Sequence, residues 1–276
     1  MMRSLWTAAS GMRAQQVNVD TIANNVANIN TIGYKSQQAS FKSLLYQNLQ
    51  STSTNNAGEN KPVAAEVGLG SRVAAITSTF TQGNLTHVEN PFSVALEGDG
   101  FFQIRTESGE LQYTRDGSFE ISPVANGNML CTSDGNPVLD AYGNQIILPS
   151  NRVATDLVVN QDGTLAFPDG TGNPAVITDA NGRPVKFGIY HFNNPAGLSK
   201  EGSNNYSVTV ASGAAVAENG NAAVKQTKTH QYYTEASNVD VANEMVNLIV
   251  AQRAYEMNSK AIQASDEMMQ QANALR

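Results

Sequence analysis

A chain of 276 residues can bury a sizeable core and hold one or two domains. Only 15% of its residues are charged, its formal charge is −7, and Lys and Arg are not clustered, which argues against nucleic acid because phosphate neutralisation needs such a cluster. No stretch approaches the roughly 18 consecutive apolar residues of a membrane span, so no membrane insertion is expected.

The start, Met1-Met2-Arg3-Ser4-Leu5-Trp6, carries one positive charge, but Ser10, Gly11, Arg13 and Gln15 break the apolar run at once. No cleaved secretory signal is expected. Instead, Leu5, Ala8, Met12, Gln15, Val19, Ile22, Val26 and Ile29 recur at alternating spacings of three and four. That is an a/d heptad seam with one polar break at Gln15. Ser4 to Asn28 would make a rod of about 38 Å. The helix should end between Asn28 and Gly33, where Asn, Thr and Gly supply non-helical backbone. Phe41, Leu44, Leu45 and Leu49 then give a short amphipathic stretch. From Gln50 to Gly70 the chain turns to Ser, Thr, Asn, Gly and Pro, predicting an extended connector that orders only against a neighbour.

From about Ala74 to Val224 the pattern is β. Leu111, Tyr113 and Arg115 alternate with polar residues up to Asp116-Gly117, and Phe119 and Ile121 resume the alternation, predicting a hairpin with a primed turn. Further turn pairs follow at Asn126-Gly127, Asp134-Gly135, Gly143-Asn144, Asp162-Gly163, Asp169-Gly170 and Asn181-Gly182. Many short strands with frequent turns predict one all-β unit. The last helix should run from about Val239 to Ala272. Met245, Leu248, Ile249, Tyr255, Ile262 and Met269 lie near one face, and Val246, Val250, Met257, Ala261, Ala264 and Met268 widen it. Pairing of the two terminal helices would use one face of each, and the remaining apolar stripe predicts self-association. The fold class is therefore α+β: a coiled-coil-like pair of terminal helices over 1–36 and 229–276, an extended connector over 37–73, and a central β domain over 74–228.

The sequence offers no catalytic constellation, no cofactor site and no metal site. His87, His191 and His230 stand in three unrelated segments without a second His or Cys at ligand spacing. Gly98-Asp99-Gly100 is followed by strand-like Phe101-Phe102-Gln103-Ile104, whereas a phosphate cradle needs a helix there. The Asp-Gly aspartates lack the spacing of an EF-hand and are read as turn formers. Cys131 has no partner for a disulfide and is read as a small apolar residue of a strand.

The run Asn24-Asn25-Val26-Ala27-Asn28-Ile29-Asn30-Thr31-Ile32-Gly33-Tyr34-Lys35 closely resembles the N-terminal signature of bacterial flagellar rod and hook proteins. Gln82-Gly83-Asn84-Leu85, Gly98-Asp99-Gly100-Phe101-Phe102 and Tyr113-Thr114-Arg115-Asp116-Gly117-Ser118-Phe119 are similar to its central motifs. Ser237-Asn238-Val239-Asp240 and Gln252-Arg253-Ala254-Tyr255-Glu256, followed by Asn258 and Lys260, resemble its C-terminal signature. The matches keep the family's order and span nearly the whole chain. Its size and single β unit are most similar to those of distal-rod members, with proximal-rod and hook-type paralogues as alternatives. The chain departs from the family at Gln231-Tyr232-Tyr233, where a Gly is usual.

The resemblance implies a structural subunit, not an enzyme. Such a subunit polymerises helically with copies of itself into a hollow, rigid drive shaft that transmits torque to the hook. It implies export across the inner membrane through the flagellar type III apparatus without a cleaved signal, residence in the basal body, proximal rod and hook subunits at the polymer ends, and envelope rings as further candidate partners. The candidate subunit-interface residues are Leu5, Met12, Val19, Ile22, Asn24, Asn25, Val26 and Asn28 on the first helix. On the last they are Met245, Leu248, Gln252, Arg253, Tyr255 and Ile262. Asn24, Asn25 and Asn28 could bond backbone within the subunit or across to another, and Gln252, Arg253 and Tyr255 could bridge to an adjacent chain. Ser237, Asn238 and Asp240 are candidate N-caps of the last helix. A secreted adhesin with coiled-coil ends is the alternative of a different class.

Overall fold

The computed structural model describes residues 2–50, 65–125, 127–150, 152–168, 174–179, 182–221 and 224–274. The chain divides into two compact units, one from Met1–Ala27, Gln37–Ser78 and Asp240–Arg276, the other from Asn28–Ser36 and Thr79–Val239.

The first unit holds the two long helices, α1 (Met2–Ala27) and α2 (Val241–Ala274). Asp240 caps α2: its Oδ1 accepts the Ala242 N–H at 2.9 Å and its backbone oxygen accepts the Glu244 N–H at 2.9 Å, satisfying donors that the first helical turn leaves open. The helices pack against each other in antiparallel directions. Ser4 Oγ lies 3.3 Å from Ser265 Oγ, a Cβ on Gly11 would lie 2.9 Å from the Asn258 amide nitrogen, and Asn25 Nδ2 donates to Glu244 Oε1 at 3.0 Å. These pairs are spaced by 7 and 14 residues along α1 and by the same steps in reverse along α2. One face of each helix therefore returns to the contact every two turns.

The remainder of this unit is a two-stranded ribbon. Strand β1 (Gln37–Ser43) pairs antiparallel with β4 (Ser71–Ser78), and β2 (Tyr46–Gln50) with β3 (Ala65–Gly68). Between the two pairs, the Leu44 N–H donates to Gly70 O at 2.8 Å and the Leu69 N–H to Leu45 O at 3.2 Å, so the ladder continues. Within the stretch read from sequence as a connector, residues 51–64 lie outside the described residues. The described flanks are extended, but they satisfy their backbone on each other.

The second unit is β-rich. It introduces β5 (Leu85–His87), β6 (Val94–Glu97), β7 (Phe101–Arg105) and β8 (Leu111–Thr114). An antiparallel six-stranded sheet runs in the order Ser199–Gly202, Asn205–Ser207, β8, β7, Ile189–His191, Val216–Ala217. Successive residues of β7 serve opposite faces, as a strand requires. Phe102 joins Phe119 and Phe187 in the larger core, with ring centroids 5.0 to 5.9 Å apart, while Phe101 packs with Tyr113, Phe192 and Tyr206 in a second cluster.

The hairpin expected at Asp116-Gly117 does not form. β8 pairs with β7 and with Asn205–Ser207, whereas Glu120–Val124 pairs with Gly127–Cys131. Asp116 Oδ1 instead accepts the Ser118 N–H at 2.9 Å, and Gly117 O accepts the Val94 N–H at 2.9 Å. Gly117 lies so close to the Val94 carbonyl that a side chain there would collide. The Asp-Gly pair therefore passes the chain from one sheet to another, which local turn chemistry does not distinguish from a reversal. At Asp134-Gly135 and Asp162-Gly163 the glycines do take φ of 83° and 79°. Of the remaining pairs, Asn126, Asp169-Gly170 and Asn181 lie outside the described residues.

Candidate assembly surface

Helix α2 is apolar on more faces than α1 can cover. Among its described residues only Ala251 and Ser265 are buried, while Leu248, Ala254, Asn258, Ile262 and Met269 are half-buried. Met245, Val246, Ile249, Val250 and Met257 are exposed, at 53 to 72% of their surface. Leu248 and Ile249 are neighbours in sequence yet differ in fate, because one residue is about 100° of helical rotation.

On α1, Leu5, Met12, Val19 and Val26 are half-buried and Ile22 is buried, so the heptad seam faces inward within its own unit. Asn25 is 1% exposed: its Oδ1 accepts the Gln37 N–H at 2.8 Å and its Nδ2 donates to Gln37 O and Glu244 Oε1. Asn28 Oδ1 accepts the Thr31 hydroxyl at 3.1 Å, and Asn24 is on the exposed side. Gln252, Arg253 and Tyr255 are exposed. A groove of about 410 Å³ is lined by Gln16, Val19, Gln252, Tyr255 and Glu256. It brings Val19, Gln252 and Tyr255, from opposite ends of the sequence, to one place. Met245 and Tyr255 thus share outward exposure, whereas Leu248 and Ile262 turn toward the interior, and the first face read for α2 mixes the two groups.

In the β unit, the motifs scattered along the sequence converge on one carboxylate. Glu235 lies at the end of Tyr233–Glu235, which pairs with β5. Its Oε1 accepts from Lys35 Nζ at 2.6 Å and from the Gly83 N–H at 2.8 Å, and its Oε2 from Arg115 at 3.2 Å. All three charged side chains are at most 1% exposed. Lys35 also donates to Thr81 O at 2.8 Å. Arg115 donates to Gly98 O at 2.6 Å and lies 5.1 Å over the Phe101 ring. Burial pulls the Lys35 ammonium below its usual pKa, and Glu235 pulls it back. Two buried cations on one anion are tolerable only because backbone carbonyls solvate the excess charge.

Gly33 fits the same latch. It has φ of 70°, its N–H donates to Glu235 O at 2.8 Å, and a Cβ would stand 2.9 Å from the Arg115–Asp116 peptide. No other residue type combines that φ with that approach. Asn238 is not the helix cap: its Oδ1 accepts the Ser36 N–H at 2.7 Å and its amide donates to Thr79 O at 2.8 Å. Ser237 Oγ accepts the Val239 N–H, which leaves the capping to Asp240. Lys35, Gly83, Gly98 and Arg115 all stand in the quoted motifs; Glu235 does not. A signal was present, since two motif cations require an anion and Glu235 stands two residues before the C-terminal signature.

A smaller clasp joins His191 to Glu218. His191 Nε2 lies 3.0 Å from Glu218 Oε2, and Glu218 Oε1 accepts the Thr227 N–H at 3.0 Å. Burial pushes the Glu218 carboxyl up, but the hydrogen bonds from His191 and Thr227 outweigh it and hold it below the usual carboxylate range. His230 pairs with Glu97 at 2.8 Å. Among the described residues no three His, Cys, Asp or Glu side chains gather where a metal could be held, and no helix is long and apolar enough to cross a membrane.

Three family models match the chain in order: flagella basal body rod protein over 5–35, the flagellar hook protein FlgE/F/G D1 domain over 95–167, and the flagellar basal body rod FlgEFG protein C-terminal region over 230–275. The flagellar basal-body rod protein FlgG of Borreliella burgdorferi is 43% identical over all of this chain and 99% of its own length. That of Caulobacter vibrioides is 38% identical over the whole of both chains. The flagellar hook-basal body complex protein FlhP of Bacillus subtilis is 32% identical, also over the whole of both.

Proposed function

The chain belongs to the flagellar basal-body rod protein family as a structural subunit of the distal rod, and from that premise we propose that it polymerises helically with copies of itself through its terminal helices. The observation that carries this reading is the row Met245, Val246, Ile249, Val250 and Met257, left exposed although α1 packs on the other side of α2. Each such side chain contributes about 1.5–3 kcal/mol when fully buried, and several repeated at every subunit contact offset the ordering costs of association. A contact repeated by a rotation that does not close gives a tube, the form a drive shaft needs to transmit torque to the hook. The helices form a coiled-coil-like pair lining that tube, and the ribbon strands Gln37–Ser43 and Ser71–Ser78 add contacts along its axis. Proximal rod and hook subunits cap the ends, envelope rings surround the shaft, and the subunit reaches the basal body through the flagellar export apparatus.

The inward seam makes Leu248 and Ile22 poor probes of assembly, because charging either would also unpack the helix pair. Ile249 and Met257 are the better sites. Electron microscopy of concentrated full-length protein should reveal tubes, and Ile249→Asp with Met257→Asp should abolish them while leaving the melting of the β unit unchanged. Tubes formed as readily by the double variant would overturn the reading.

A further inference from the structure

We propose that Trp6 of one subunit seats in the groove between α1 and α2 of the next copy, an inference that rests on the polymer reading above. Trp6 is the single tryptophan of the chain and is 75% exposed. Leaving so large an aromatic surface in water is unfavourable in a final state, and a Trp is well suited to anchor an interface because its body is apolar and its N–H is polar.

The groove has the complementary chemistry. Its volume is about 410 Å³, Val19 and Tyr255 offer apolar and aromatic surface, and Gln16, Gln252 and Glu256 supply oxygens for the indole N–H. Tyr255 is itself 43% exposed, so its ring remains available for an aromatic contact. No titration is needed, since a carboxamide accepts as readily as a carboxylate.

The occupant must come from another copy. Trp6 and Gln16 stand on the same unbroken helix, α1, and the ten-residue step from one to the other rises about 15 Å, beyond the reach of an indole. At about 100° per residue, Trp6 also faces roughly 80–140° away from Gln16 and Val19 around that helix. Knob and hole are thus different patches of one helix pair. Repeated by the non-closing rotation of the polymer, a contact between them is head-to-tail and leaves a free knob at one end and a free hole at the other.

The test uses the full-length protein and its own fluorophore. On assembly, Trp6 emission should shift to the blue and lose most of its quenching by iodide. Mixing a Trp6→Cys variant with a Tyr255→Cys variant under oxidising conditions should give mixed disulfide dimers when tubes form, with far fewer from either variant alone; the native Cys131 is buried. Tyr255→Ser should return Trp6 emission toward that of the free subunit. Tubes in which Trp6 remains water-exposed and the mixed disulfide is absent would overturn the seating while leaving polymerisation intact. Failure of the wild-type chain to form tubes would overturn both together.

Discussion

The helical unit and the β unit treat apolar residues in opposite ways. In the β unit Phe101, Phe102, Phe119, Ile104, Leu130 and Leu139 are wholly buried, and even its inner charges are matched within the same unit. In the helical unit, α2 spans 34 residues with two of its described residues buried, while Met257 is 72% exposed and Leu45 on the ribbon is 82% exposed. The first kind of surface is spent on holding one chain together. The second is held in reserve for other chains, and stability measured on a free subunit should report mainly on the first.

The largest expected effect breaks that comparison at its most self-contained point. Glu235→Gln leaves Lys35 and Arg115 buried without a counter-charge, and should cost the β unit about 3–5 kcal/mol, read as a lower melting temperature of the free subunit. If the loss were below about 1 kcal/mol, the latch would not be holding this unit together. A smaller change is expected in the helical unit. Asp240→Ala removes the α2 cap and should cost about 1 kcal/mol, with fraying at the start of α2 visible by hydrogen exchange and no change in exchange across β7. Equal changes in both units would contradict their separate stabilities.

Tyr232 sharpens the comparison further. It sits between two strands at φ of 66°, a left-handed backbone that costs an L-residue about 1–2 kcal/mol, and its ring stacks on His87 at 6.4 Å. Tyr232→Gly relieves the backbone but loses the ring, so a net gain below about 1 kcal/mol is expected. Tyr232→Ala loses the ring without relief and should destabilise, and the difference between the variants isolates the strain. The smallest effect concerns pH. Glu218 is held below the usual carboxylate range, so the unfolded chain takes up its proton first as the solution is acidified. The stability it contributes is therefore complete above that range and disappears as pH falls through the lowered value, and Glu218→Gln should flatten this part of the acid melting curve.

What the sequence made legible follows from how local each cause is. The apolar spacing of α1 was readable because a helix repeats its faces locally, with Ile22 buried and Leu5, Met12 and Val19 half-buried, and Asp240 as a cap because it acts on the next few residues. On α2 Leu248 and Ile249 are equally apolar, so periodicity could not say which faced α1. Asp116-Gly117 was misread because the alternative to a reversal was a distant carbonyl, Val94 O. Glu235 escaped notice because its partners Lys35 and Arg115 are 200 and 120 residues away. Tyr232, by contrast, was flagged by sequence where a Gly is usual, and the structure places it in the conformation that Gly adopts most easily.

The hydrogen-bonded pair Ser4 and Ser265 is separated by 261 residues. Such a contact cannot begin to form on the ribosome until almost all of the intervening chain has been made, and a contact of this separation is among the slowest to close. The first helix is synthesised earliest and finds its partner last. During that interval the face that α1 turns to α2 is uncovered, open to whatever binding protein meets a nascent or just-released chain, and a truncation near Ser265 would lengthen that exposure without touching a residue of the β unit.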